Sequence, residues 1–184
     1  MTYRIRLIVT AALLVAIAGA RPVRAQSTTD ALATVRIDKC RREPGRVVAS
    51  YRVEGALRAE DRKDLESGQA LTFTHRIDVY RRRGFFADKW LARRTIEASA
   101  TLDTLTERYT LTRKIDDVLV DTQTTEKPEV MDKWLSEVHN FAIDLPADSD
   151  RGILEVRVTT KYRRTFLLFV WPYELPAKGD AECR

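Results

Sequence analysis

Between Leu71 and Tyr80 the chain alternates in character. Leu71, Phe73, Ile77 and Val79 fall on one side with His75 among them, and Thr72, Thr74, Arg76, Asp78 and Tyr80 on the other. A period of two over ten residues fits an extended strand with one face buried and does not fit a helix. The same period recurs along the chain. It covers Ala33, Val35 and Ile37; Val47, Ala49, Tyr51 and Val53; Tyr109, Leu111 and Arg113; Phe141, Ile143 and Leu145; and Leu154, Val156, Val158, Thr160 and Tyr162. Pro44-Gly45 separates the first two runs and reads as the turn of a hairpin. Another strand is expected near Trp90 to Leu102, and one more at Val118 to Thr124 behind an Asp116-Asp117 turn. The segment TFLLFVW, Thr165 to Trp171, is apolar on both faces and predicts a central strand. Pro172 and Pro176 are expected to end the ordered part.

Two stretches depart from this period. Ala59 to Ser67 is charged, lacks β-branched residues and stops at Gly68, which suits the C′ position of a short helix. Pro128 suits a first helical turn, and Val130, Met131, Trp134, Leu135 and Val138 follow at helical spacing. The fold class is therefore mainly β (α+β): a single antiparallel β-sandwich-like domain or curled sheet, with one packed helix and a second short one.

The first 25 residues are of another kind. Arg4 and Arg6 precede an uncharged apolar run from Leu7 to Ala20, and Val23-Arg24-Ala25 offers a cleavage site. This is the layout of a secretory signal peptide removed after Ala25, with export to a bacterial periplasm and a domain over residues 26–184. The 14-residue run is short of the roughly 20 residues that span a bilayer core, and no later stretch is long enough to be a transmembrane segment. Four of the 32 basic residues and none of the 27 acidic ones lie in the leader, so cleavage lowers the net charge from +5 to +1. The basic pI of about 9.4 is thus largely a property of the leader, and it gives no support to nucleic-acid binding.

Two cysteines remain, Cys40 and Cys183, and in an oxidising compartment a disulfide between them is expected. Two distant cysteines and two unspaced histidines do not make a zinc site, and without CxxC there is no thioredoxin-type motif. No metal or cofactor is expected. No GxSxG or HExxH motif is present, and no catalytic residues are assigned.

The richest candidate site lies between Arg81 and Arg94. Six basic residues (Arg81, Arg82, Arg83, Lys89, Arg93 and Arg94) face one acid, Asp88, with Phe85, Phe86 and Trp90 interleaved. Arginine forks bind phosphate and carboxylate, and aromatic rings enter lipid headgroup regions. Either these residues form a patch for anionic lipid or an acidic envelope partner, or the aromatics are core and the arginines merely solvated. Eight acids between Asp103 and Asp132 read as solvated surface, since the DxDxDG calcium loop is missing. His75 reads as a core histidine with one satisfied hydrogen bond, and His139 as the end of a helix, where a cation suits the dipole.

The order of features carries a resemblance. Leu65-x-x-Gly68-x-x-Leu71-x-Phe73 leads into Tyr80-Arg81-x-Arg83, then Phe85-Phe86 and Asp88, and later Leu102-x-x-Leu105-Thr106-x-x-Tyr109. This resembles a family of exported bacterial proteins catalogued as a domain of unknown function, number 4390, over roughly Ala33 to Pro176. The chain departs from it in the Lys178-to-Arg184 tail with Cys183, and in Phe85-Phe86 where tryptophan-rich sequence is expected. The resemblance implies export and a β-rich single domain, often encoded beside envelope-sensing histidine kinases, and no activity. The expected function is a non-catalytic binding module of the cell envelope, with a link to envelope signalling. The alternatives are an envelope hydrolase acting on an anionic substrate and a carrier of an apolar ligand between the sheet and the Val130–Val138 helix.

Overall fold

Nine strands and two helices make up the described part of the computed structural model, which covers residues 33–147, 149, 151–167 and 171–184. The leader, residues 1–25, lies outside the described residues. The strands are β1 (Thr34–Glu43), β2 (Arg46–Glu54), β3 (Leu71–Arg81), β4 (Lys89–Asp103), β5 (Arg108–Ile115), β6 (Val118–Thr125), β7 (Glu137–Asp144), β8 (Leu154–Leu167) and β9 (Trp171–Cys183). The helices are α1 (Ala59–Glu66) and α2 (Pro128–Ser136). All pairings are antiparallel. One sheet has the order β1-β2-β7, the other β6-β5-β4-β3-β8-β9.

The alternation translates directly into burial. Phe73, His75, Ile77 and Val79 of β3 are buried. Their β4 partners include Ala98 opposite Phe73 and Ile96 opposite His75, both buried, and their β8 partners include the buried Thr160, Val158 and Val156. Val47, Ala49, Tyr51 and Val53 of β2 line the facing sheet. Helix α2 buries Met131, Trp134 and Leu135 in the same core.

Local chemistry fixes the element ends. Asp61 at the third position of α1 accepts a hydrogen bond from the Arg58 backbone N–H at 2.8 Å, one half of a capping box. At its other end Gly68 takes φ +84°. Its N–H donates to Leu65 O, and the Gln69 N–H donates to Asp64 O, the double closure of a Schellman motif. Asp116 and Asp117 both have positive φ, as a type I′ hairpin turn demands, and they join β5 to β6.

The sheets meet at β9 and β1. The Arg42 N–H donates to Arg184 O at 3.0 Å, the Arg184 N–H to Cys40 O at 3.3 Å, and Cys40 and Cys183 form a disulfide between them. The backbones come so close that a Cβ added at Gly179 would lie 2.2 Å from Val35 O, a position only glycine fits.

Three expectations need correction. TFLLFVW is not one central strand. Thr165 to Leu167 ends β8 and Trp171 begins β9 opposite Leu167, while residues 168–170 lie outside the described residues. Pro172 and Pro176 do not end the ordered part but lie within β9, the last strand of its sheet, where a missing N–H is tolerated. His139 is in β7, exposed and 3.1 Å from Glu137, because the helix stops at Ser136 and Glu137 is already extended.

Candidate interaction surface

β4 pairs with β3 along all of β3, from Leu71 to Arg81, and their connection spans residues 82–88. A bulge at Val79/Tyr80 sets Trp90 opposite Tyr80 and Lys89 opposite Arg81, so β4 begins beside the loop. Asp88 holds the loop down. One of its oxygens accepts the Arg157 guanidinium at 2.5 Å, and the other accepts the Arg83 backbone N–H at 3.4 Å. The Arg157 hydrogen bond keeps the Asp88 carboxyl below its ordinary pKa. The Arg82 N–H donates to Ile153 O at 2.9 Å, which ties the loop to the segment ahead of β8.

Held this way, the tip turns its aromatics outward. Phe85 is 101% exposed and Phe86 78% exposed, and Trp90 at the base is half-exposed. These aromatics are not core. The Arg83 guanidinium has no partner among the described residues. Exposed Ile153 lies next to the loop through its bond to Arg82.

The remaining arginines are engaged. Arg82 pairs with Glu182 and lies 3.6 Å from Glu155. Arg81 packs its aliphatic stem toward Gly152. Arg93 donates to Asp78 at 2.6 Å and sits over the Trp90 ring, whose N–H also donates to Asp78, at 3.2 Å. Asp78 is buried and meets Arg76 as well, at 3.2 Å. Arg94 points to the opposite face, where it donates to Asp116 at 2.6 Å and approaches Asp144 at 3.9 Å. The residues singled out by sequence between Arg81 and Arg94 therefore do not form one surface. Arg83, Phe85 and Phe86 form a free tip with Trp90 at its base, Arg93 belongs to a structural ion-pair network, and Arg94 stitches the sheets together.

A family model described as a domain of unknown function, DUF4390, matches residues 32–165. The chain belongs to the DUF4390 family. The match runs from just ahead of β1 to near the end of β8. It includes the whole tip and leaves β9 with Cys183 beyond it. Neither a curated protein nor a solved structure matches the chain.

Elsewhere in this DUF4390 domain, the interior offers a different kind of polar site. His75 is completely buried. Its Nε2 donates to Leu135 O at 3.0 Å, since a carbonyl only accepts, and Nδ1 therefore accepts from the Thr160 hydroxyl at 2.9 Å. Both nitrogens are satisfied, one more than sequence reading foresaw. Burial pushes its pKa down to about 4, and the nearby Arg113 cation adds to that, against the hydrogen bond to Leu135. Arg113 stacks 4.2 Å over Trp134 and donates to Trp134 O at 2.8 Å, while the Trp134 ring N–H donates to Thr112 O. Tyr51 packs beside His75, and burial raises its phenol pKa well above the ordinary value. His75 has no solvent-exposed surface, and both its ring nitrogens are engaged inside the core.

Two clefts, of about 360 and 240 Å³, are lined by charged and polar groups of the exterior. One lies around Arg108 and Lys127, the other around Tyr80, Arg157 and Lys178. Neither opens between the sheet and α2. Among the described residues no group of three or more His, Cys, Asp or Glu is placed to hold a metal ion, and no helix is long and apolar enough to cross a membrane.

Proposed function

We propose that this protein is an exported, non-catalytic binding module of the periplasm that works through the tip of its β3–β4 hairpin. The observation that carries the reading is Phe85, fully in solvent beside Phe86 and beside an arginine with no partner among the described residues. Two adjacent exposed phenylalanines on a braced loop forgo apolar burial that the core a few residues away would provide, and exposed apolar groups of this kind mark interaction surfaces. Export is supported by the leader's charge and apolar pattern, and the Cys40–Cys183 bridge suits an oxidising compartment.

The reading is tested in living cells by crosslinking and affinity purification of the tagged protein. The wild type is expected to capture an envelope component. An Arg83→Ser/Phe85→Ser/Phe86→Ser variant present at the same level is expected to capture less. Equal capture by the two contradicts the assignment of the tip. The processed chain is expected to start at Gln26 in the periplasmic fraction, and an unprocessed chain in the cytoplasm contradicts export.

A further inference from the structure

We infer that the occupant of this tip is a lipid surface bearing anionic headgroups, an inference that rests on the binding-module reading above. From Arg81 to Trp90 the chain carries Arg81, Arg82, Arg83 and Lys89 against Asp88 alone. Asp88 is itself matched by Arg157, at 2.5 Å. Arg82 is paired with Glu182 and lies near Glu155, so the positive charge the tip presents beside its two phenylalanines is that of Arg83, on a protein whose processed chain is nearly neutral, and its complement is a negatively charged surface. The apolar part has the form a membrane interface takes up. Phe85 and Phe86 project at the end of a hairpin and lie in neither described cleft. A convex aromatic tip enters a deformable headgroup layer without needing a pre-shaped pocket.

The order of groups along the loop fits that picture. Phe85 and Phe86 are exposed within the loop, and Arg83 stands two residues before Phe85 in the chain. Trp90 is set back at the loop's base, with its ring N–H satisfied by Asp78. Tryptophan at the boundary and arginine at the phosphates are the usual interfacial arrangement. The bonds from Asp88 to Arg157 and to the Arg83 N–H, and from the Arg82 N–H to Ile153 O, brace the loop before any contact is made. Little ordering cost then remains for binding.

The test is cosedimentation of the processed protein, free of its apolar leader, with vesicles of phosphatidylglycerol and phosphatidylethanolamine, and with phosphatidylcholine vesicles for comparison. Binding to the anionic vesicles is expected, with little to phosphatidylcholine, and added salt is expected to weaken it. Arg83→Ser is expected to lower the partition coefficient about fivefold. Phe85→Ser/Phe86→Ser is expected to lower it more than about tenfold. Both rings are exposed, so unchanged thermal midpoints will show that the variants fold. Equal binding to both vesicle types, or full binding by the double variant, overturns the lipid assignment. If vesicle binding fails while capture in cells still depends on the tip, the lipid is wrong and the binding module stands. If both fail, both readings fall.

Discussion

His75 occupies an inward position of β3, and its two hydrogen bonds come from partners far off in the chain, Leu135 and Thr160. Its place on an apolar face was readable from the period-two pattern. Its second hydrogen bond was not, because no local signal says which carbonyl ends up against a buried ring. The neutral form is the one this site holds. Arg113 of β5 and Tyr51 of β2 face the ring, and neither supplies negative charge at neutral pH. With a folded pKa of about 4 against 6.5 unfolded, the unfolded chain binds the extra proton between those values. Stability is therefore full above pH 6.5 and falls as the pH drops toward 4, by about 3 kcal/mol from this residue. Denaturant unfolding of wild type and His75→Gln across that window checks this: the slope should shrink in the variant, and identical slopes contradict it. Phe85 shows the opposite limit. Sequence left it between core and surface, since the period stops at Arg81 and a loop tip has no period of its own.

Helix α2 shows how one residue can satisfy two patterns. Val138 follows Trp134 and Leu135 at helical spacing, yet it lies in β7 opposite Tyr51 and is buried there. The helical stripe and the strand's inward face coincide at that point, so the sequence pattern ran two residues past the helix end. Trp134 is the element's anchor. It packs in the core, stacks with Arg113 and bonds Thr112 O. Trp134→Ala is expected to lower the unfolding free energy by about 3–5 kcal/mol, measured by denaturant titration, and a loss below about 1 kcal/mol contradicts the anchoring role. At β4, alternation alone sends Arg93 and Arg94 to opposite faces, so a strand reading carried through those residues would have separated them. The end of the TFLLFVW segment was not legible in this way. Leu167 and Trp171 belong to two paired strands, and the apolar run between them carries no glycine, proline or asparagine, the residues that announce turns.

On the scale of the whole molecule, the Cys40–Cys183 bridge joins β1 to β9 over a sequence separation of 143 residues, beside the Gly179–Val35 approach and the Arg42–Arg184 backbone bond. The pairing was legible by count alone. The strand that carries Cys183 was not, because its prolines read as an end. In the chain-entropy view, closing so long a loop stabilises the fold by about 5 kcal/mol, so a Cys40→Ser/Cys183→Ser variant should unfold at much lower denaturant; an unchanged midpoint contradicts a stabilising bridge. Closing the sheets onto each other also leaves the β3–β4 tip as a braced projection with its aromatics in solvent. The most direct test of its role places a photoreactive residue at Phe85, and for comparison at the exposed Leu119 of β6, in the protein expressed in cells. Strong envelope adducts from position 85 and weak ones from 119 are the expected result. Adducts equal at both positions, or absent at 85, would contradict the account.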